Sequence, residues 1–175
     1  MTQAQNPRPR ADFQPCSTDL PKADQPMTPA QKQLVQTSFA RLAPSADDVG
    51  EMFYRELFVL DPHLRKLFKS DIAQQGRNLM GALSTTIANL DQLESIAPAL
   101  RDLGRRHTIY GVKPADYQTG ARALIATLEK GLGSDFTPAL REAWASCYRA
   151  LAGEMMAGAE KRKRVPQPRP LLGLH

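Results

Sequence analysis

Residues 103–112 read Leu-Gly-Arg-Arg-His-Thr-Ile-Tyr-Gly-Val, and the interpretation of the whole chain starts from this stretch. The stretch ends a helix that the sequence predicts to begin at Pro98 and to stop near Gly111, since proline suits a first helical turn and glycine a helix end. His107 lies in the last turn of this helix. A neutral imidazole held at such a place can bind iron, so His107 is a candidate metal ligand.

Helical signals extend outward from this stretch in both directions. The first helix has a cap at Thr28, a proline at Pro29 and a capping-box partner at Gln31. The pair Thr137-Pro138 opens the last helix in the same way. No segment alternates apolar and polar residues with period two over a useful length. The sequence therefore predicts an all-α fold with about seven helices.

The remaining helix boundaries follow from cap residues and prolines. Ser45 is predicted to cap the second helix, Asp61-Pro62 to start a short third segment that ends near Phe68, and Pro114 to start the sixth helix. A long helix is predicted from about Ile72 to Leu90. The predicted buried stripes are Val35, Phe39 and Leu42; Val49, Met52, Phe53 and Leu57; Leu79, Leu83, Ile87 and Leu90; Tyr117, Ala121, Leu124, Leu128 and Leu132; and Leu140, Trp144, Cys147, Leu151 and Met155.

Composition limits the chain to one domain of ordinary globular type. Its 175 residues are 42% hydrophobic, enough for one substantial core. We expect a compact domain over residues 27–159, with disordered tails at 1–26 and 160–175, both rich in proline. The true start is either Met1 or Met27. No apolar run approaches a membrane span and no signal peptide is evident, so a cytoplasmic location is expected.

The positive charge is concentrated at the C-terminus. Residues 160–175 contain five basic residues against Glu160, which is +4 of the chain's net +5. The interpretation that needs fewest assumptions is a solvated tail. The alternative is contact with nucleic acid or an anionic membrane surface. The two cysteines, Cys16 and Cys147, form no metal or disulfide pattern, and Cys147 is expected to be a buried thiol.

Several sequence motifs, together with their order along the chain, resemble those of the globin superfamily. The resemblance is to single-domain bacterial globins that are close to the haem domain of flavohaemoglobins and to neuroglobin. The resemblance covers residues from about 28 to 157. Each motif alone is weak, whereas their order and spacing together are specific. The motifs are Phe53-Tyr54 with Leu57-Phe58, Asp61-Pro62 with Leu67-Phe68, residues 103–112, and Leu132-Gly133 with Phe136-Thr137-Pro138, Trp144 and Tyr148.

This resemblance implies that His107 binds the iron of haem b (iron protoporphyrin IX) from the proximal side. His63 and His175 match no family ligand. Leu103 and Val112 match apolar positions that line the proximal face, and Phe68 matches the phenylalanine that packs on the porphyrin.

The proximal surroundings match only in part. Tyr117 matches a tyrosine that acts on the proximal histidine in flavohaemoglobins. The glutamate that assists it there is not matched, because Ala159 stands at its position and Glu160 is one residue, about 100° of helix rotation, away.

On the opposite, distal side the resemblance implies that Tyr54 and Gln75 donate hydrogen bonds to a bound gas, with Leu79 as an apolar wall. Gln74 is the competing choice for Gln75. Neuroglobin closes its iron with a histidine at this position. This chain has none there, so the iron is expected to be five-coordinate or water-bound unless Tyr54 binds the ferric form. Arg105, Arg106 and Arg77 either pair with haem propionates or are solvated.

The function implied is reversible binding of O2, NO and CO. Nitric oxide dioxygenation is a further activity, in which an external reductase supplies electrons, because the chain has no flavin or nicotinamide motif. The alternative is a haem-based gas or redox sensor, or an electron-transfer protein, that signals through its tails. An oxygen-binding protein is preferred over a dedicated enzyme.

Overall fold

A computed structural model describes residues 26–69 and 71–163, with side chains up to Glu160. Six α-helices and four short 3₁₀ segments make up this part of the chain, and no strand occurs in it. The all-α prediction is confirmed. The helices are α1 Pro29–Leu42, α2 Ala46–Leu60, α3 Ile72–Ala88, α4 Leu93–Ile109, α5 Pro114–Leu132 and α6 Pro138–Lys163; the 3₁₀ segments are Ala43–Ser45, Pro62–Leu67, Leu90–Gln92 and Gly133–Asp135.

Three of the predicted helix starts are supported by hydrogen bonds. Thr28 and Gln31 form the expected capping box at α1. At α6 the Thr137 hydroxyl accepts from the Leu140 amide at 3.2 Å. The Asp61 carboxylate accepts from the His63 amide at 3.0 Å, which starts the 3₁₀ segment Pro62–Leu67. These boundaries were predictable because each depends on residues only two or three positions apart.

One predicted boundary and one predicted capping bond are wrong. Helix α4 begins at Leu93, so Pro98 lies inside the helix and does not start it. Both Glu94 and Pro98 are exposed. The Glu94 carbonyl loses its helical donor at Pro98, and the proline is tolerable in this exposed turn because water can replace that donor. Ser45 precedes α2 but makes no side-chain capping bond, because the backbone there is already in a 3₁₀ turn.

The main core lies between α1, α3, α5 and α6. Trp144 is 1% exposed, and its indole Nε1 donates to the Ser38 hydroxyl at 2.9 Å, so this large side chain is buried without an unpaired polar atom. Ser38 in turn donates to the Val35 carbonyl at 3.0 Å. Cys147 is buried as predicted, and burial raises the pKa of its thiol to about 12, so it is an unreactive core residue.

Glycines allow two pairs of helices to cross in close contact. At the crossing of α2 and α3, a Cβ added to Gly50 would lie 2.7 Å from the Gly76 carbonyl oxygen. At the crossing of α4 and α6, a Cβ added to Gly104 would lie 1.9 Å from the Met155 oxygen, and one on Gly158 would lie 2.1 Å from the Arg101 oxygen. Only glycine fits at these backbone contacts.

The last helix extends past the expected domain boundary. α6 continues to Lys163, so the first four residues of the predicted tail, 160–163, are helical. Residues 1–25 of the predicted N-terminal arm and residues 164–175, including Cys16 and His175, lie outside the described residues. Within residues 26–69 and 71–163, no helix is both long enough and apolar enough to cross a membrane.

Candidate functional site

His107 lies in the last turn of α4 with one ring nitrogen already engaged. Its Nδ1 is 3.0 Å from the Leu103 carbonyl oxygen, one turn earlier in the same helix. The imidazole is partly buried, and this burial lowers its pKa below the usual value, so the neutral ring is favoured. With Nδ1 carrying the proton donated to Leu103, the lone pair of Nε2 is available to a metal.

The backbone around His107 is fixed by a Schellman motif. The Val112 amide donates to the His107 carbonyl at 3.0 Å, and the Gly111 amide donates to the Thr108 carbonyl at 3.1 Å. Gly111 has φ +98°, a left-handed value that favours glycine. The turn thus ends α4 at a defined residue and ties Val112 to the candidate ligand.

Tyr117 of α5 stacks beside His107, with ring centroids 6.3 Å apart and an angle of 26° between the planes. Its hydroxyl is buried and has no hydrogen-bond partner in the described part of the chain. The Tyr117 carbonyl accepts from the Tyr148 hydroxyl at 2.8 Å. The structure places Tyr117 beside His107, and its action on an iron ligand stays a prediction. The glutamate position is again unmatched, because Glu160 is exposed.

Removing the Tyr117 hydroxyl should not cost stability. A buried hydroxyl without a partner has lost its hydration and gained nothing, so Tyr117→Phe is expected to leave the free energy of unfolding unchanged or to raise it by up to about 1 kcal/mol. Urea unfolding followed by circular dichroism measures this. The matched control, Tyr148→Phe, removes a made hydrogen bond and should lower the free energy by about 1 kcal/mol. A larger loss for Tyr117→Phe would mean that its hydroxyl has a partner.

Tyr54 of α2 lies in a second group of aromatic and apolar side chains. It is 6% exposed, and its ring packs edge-to-face on Phe68 at 5.1 Å and on Phe53 at 5.2 Å. Leu79 of α3 packs against the same cluster. Burial raises the pKa of Tyr54 to about 12, so the neutral hydroxyl, a hydrogen-bond donor, is favoured over the tyrosinate.

The two glutamines of α3 occupy different environments. Gln74 is exposed, and its side chain bonds to Asn78 at 3.0 Å and to Arg77 at 2.8 Å. Gln75 is half-buried and directly precedes Gly76 at the crossing with α2. This difference in exposure favours Gln75 over Gln74 as the residue that faces the protein interior.

The described contacts sort the predicted site residues into two groups. Tyr54, Phe68 and Leu79 share one cluster, and His107 stacks with Tyr117 in the other. No ring contact joins His107 to Tyr54 within the described residues. Leu103 and Val112 are half-buried and bond to His107 through their backbones.

The three candidate propionate partners are already engaged with neighbours on their own helices. Arg105 and Arg106 both pair with Asp102, at 2.8 and 3.4 Å. Arg77 bonds to Gln74. The structure therefore supports solvated helix charges at these positions.

The sequence reasoning missed the glycine pair that positions the Tyr54 side of the site. Tyr54 is one turn after Gly50 on α2, and Gln75 is adjacent to Gly76 on α3. The close crossing at Gly50 and Gly76 therefore sets how near the two helices carry these side chains. A glycine inside a helical pattern was the available signal, because glycine is unfavourable there unless packing requires it.

The donor set fits haem better than a metal held by side chains alone. Within the described residues, no three His, Cys, Asp or Glu side chains converge on one point. A single neutral imidazole with a carbonyl-bound Nδ1 suits an iron whose other ligands come from a porphyrin. The apolar and aromatic residues around Tyr54 and Phe68 suit the flat, apolar body of such a group.

Comparison with known proteins finds similarity to globins. A family model described as Globin matches residues 51–155. Neuroglobin of Tetraodon nigroviridis is 28% identical over 144 residues, covering 74% of this chain and 91% of that protein. Neuroglobin of Dissostichus mawsoni is 27% identical, with the same coverage. The flavohemoprotein of Rhizobium meliloti (strain 1021) is 28% identical over 137 residues, which are 77% of this chain but only 34% of that protein.

Proposed function

The chain belongs to the globin family, whose members bind haem and gaseous ligands, and from this premise we propose that it binds haem b through His107 and takes up O2, NO and CO on the side of Tyr54 and Gln75. The observation that carries the proposal is the geometry of His107. Its Nδ1 is engaged at 3.0 Å by Leu103, and its backbone carbonyl is held by the turn that follows α4. A ring fixed in this way presents Nε2 in one orientation.

Each side chain then has a defined task. When bound, haem supplies an iron centre with an open position for a diatomic gas. Tyr54 donates a hydrogen bond from its neutral hydroxyl, and Gln75 is the second donor. Phe53, Phe58, Phe68 and Leu79 surround Tyr54 and exclude water, which strengthens a hydrogen bond made inside the cluster.

Nitric oxide dioxygenation is the enzymatic activity that we propose alongside gas binding. Conversion of NO and O2 to nitrate consumes one electron, so turnover requires a reductant. The alignment covers about a third of the flavohemoprotein. We propose that an external reductase supplies the electron, and that gas binding is the primary function.

A haem-based gas or redox sensor is the second candidate. The observation that favours it is α6, which runs without interruption from the core around Trp144 to Lys163 and so leads from the interior to the basic residues at positions 161–164. This candidate predicts that removal of residues 160–175 leaves the absorption spectrum intact and abolishes a ligand-dependent response. The gas-binding proposal predicts no such response.

The absorption spectrum of the purified protein tests the proposal directly. The ferric, dithionite-reduced, CO-bound and air-exposed forms should show a Soret band, five-coordinate ferrous features, a CO shift and a lasting oxygenated form. A six-coordinate ferrous spectrum that resists CO would favour redox or sensing work. The absence of a Soret band after haem is added would refute the proposal.

Tyr54→Phe is expected to separate O2 from CO. Loss of a hydrogen bond in a dry pocket costs about 1.5–3 kcal/mol, so O2 should dissociate roughly 10–150 times faster. CO carries less charge and should change by less than about threefold. Stopped-flow ligand exchange measures both rates. Tyr110→Phe is the control, because Tyr110 is 66% exposed and should alter neither rate. Equal effects on O2 and CO would argue against hydrogen bonding by Tyr54.

A further inference from the structure

The turn that ends α4 exposes two adjacent large apolar side chains. Ile109 is 61% exposed and Tyr110 is 66% exposed. Single apolar residues on a surface need no explanation, but an adjacent pair is different when the backbone holds both in place. Here the Schellman motif fixes the pair, because the Tyr110 amide donates to the Arg106 carbonyl at 3.0 Å and the next two amides bond back into α4.

Basic residues surround this apolar pair. Residues 61–69 and 105–113 together contain six lysines and arginines and a single acidic residue, Asp61, and two of the six, Arg105 and Arg106, pair with Asp102 just before the second segment. The two segments meet in space, since a Cβ added to Gly111 would lie 3.3 Å from Leu67 Cδ2. Lys66, Lys69 and Lys113 are exposed and make no ion pair within the described residues.

We propose that Ile109, Tyr110, Arg106, Lys66 and Lys113, here called the α4-end patch, dock the acidic face of an electron-transfer protein beside His107. An apolar centre with a charged rim is typical of transient interfaces, in which the charges speed encounter and the apolar residues hold the complex. The apolar pair of the patch, Ile109 and Tyr110, lies two and three residues after His107 on the same hydrogen-bonded turn. The inference rests on the proposed function, in which NO dioxygenation consumes an electron that a reductase must supply.

Charge and topology argue against two other occupants. A second copy docked face to face would bring two cationic rims together, which is unfavourable. The basic end of α6 lies elsewhere, because Gly104 faces Met155 and Arg101 faces Gly158, so the two helices are antiparallel. Residues 161–163 therefore lie beside the first half of α4, away from the α4-end patch.

The test is titration of full-length ferric protein with flavodoxin, a small acidic FMN protein, followed by calorimetry at about 20 mM and about 200 mM salt. Binding should be at least 10-fold weaker at the higher salt. The double variant Ile109→Ser/Tyr110→Ser and the charge reversal Lys113→Glu should each weaken it at least 10-fold. There are two control variants. Val59→Ser changes a residue on α2 that is 73% exposed, and Lys32→Glu changes a residue beside Asp91, near the start of α4. Each should change the affinity for flavodoxin less than twofold.

Four other outcomes would overturn the inference. Two concern flavodoxin: no binding at low salt, or equal effects of the patch variants and the control variants. The other two would assign the patch to another partner: a homodimer that the patch variants dissociate, or flotation with phosphatidylglycerol vesicles that the patch variants abolish. The CO spectrum of each sample keeps the two proposals apart. A normal CO spectrum without flavodoxin binding refutes the docking surface alone, whereas a missing Soret band refutes the proposed function.

Discussion

His107→Gly is expected to remove the Soret band of the purified protein, or to leave haem that is lost at least 100-fold faster to a haem-scavenging protein. The variant deletes the only described imidazole whose Nδ1 is held by a backbone carbonyl. It also leaves a space that a free imidazole can enter. Added imidazole should therefore restore the spectrum of the CO-bound form, which a merely structural role of His107 would not allow.

His63→Ala is the matched control for this experiment. His63 is exposed at the start of the 3₁₀ segment, and its side chain makes no hydrogen bond among the described residues. Its spectrum should match that of the unchanged protein. Retention of a normal spectrum by His107→Gly without imidazole would show that the iron ligand lies elsewhere.

Gly104→Ala is expected to give the largest loss of stability of any methyl-sized change in the chain. The added Cβ would lie 1.9 Å from the Met155 oxygen, a backbone atom that cannot move aside without shifting α6. Overpacking of this kind should lower the free energy of unfolding by about 3 kcal/mol or more. The gain in helix propensity, about 1 kcal/mol, offsets only part of this loss. Urea unfolding followed by circular dichroism gives the value.

Two other helical glycines provide the control. Gly81 and Gly153 have no atom within 4 Å of an added Cβ, so Gly81→Ala and Gly153→Ala should raise the free energy of unfolding by about 0.5–1 kcal/mol. The same Gly→Ala substitution is therefore expected to stabilise the protein where the added methyl group has free space and to destabilise it where two helices are in contact. Equal small effects at all three would mean that α4 and α6 do not cross as closely as described.

Local signals account for what the sequence predicted well. The caps at Thr28, Asp61 and Thr137 involve partners two or three residues away, so these hydrogen bonds do not depend on how the helices pack against each other. The bond from His107 to Leu103 was not among the predictions, although its partner is equally near in the sequence, since residues four apart share a helix face. Pro98 misled the prediction because a proline marks a helix start only when the preceding residues are not already helical.

Contacts between distant segments account for what could not be predicted from the residues. The packing of Tyr54 on Phe68 and the crossing at Gly50 and Gly76 depend on how α2, α3 and the 3₁₀ segment meet. No local pattern encodes that meeting. The exposure of Ile109 and Tyr110 could not be predicted from the sequence either, because their apolar character alone predicts burial.

The hydrogen bond between Trp144 and Ser38 gives the protein a built-in optical reporter. Trp144 is the only tryptophan in the chain, and its indole touches α1 through this bond. If α1 separates from α6, the indole loses its partner and meets water, so its emission shifts to the red. Detachment of the first helix can therefore be timed without any label, independently of the turn that holds His107.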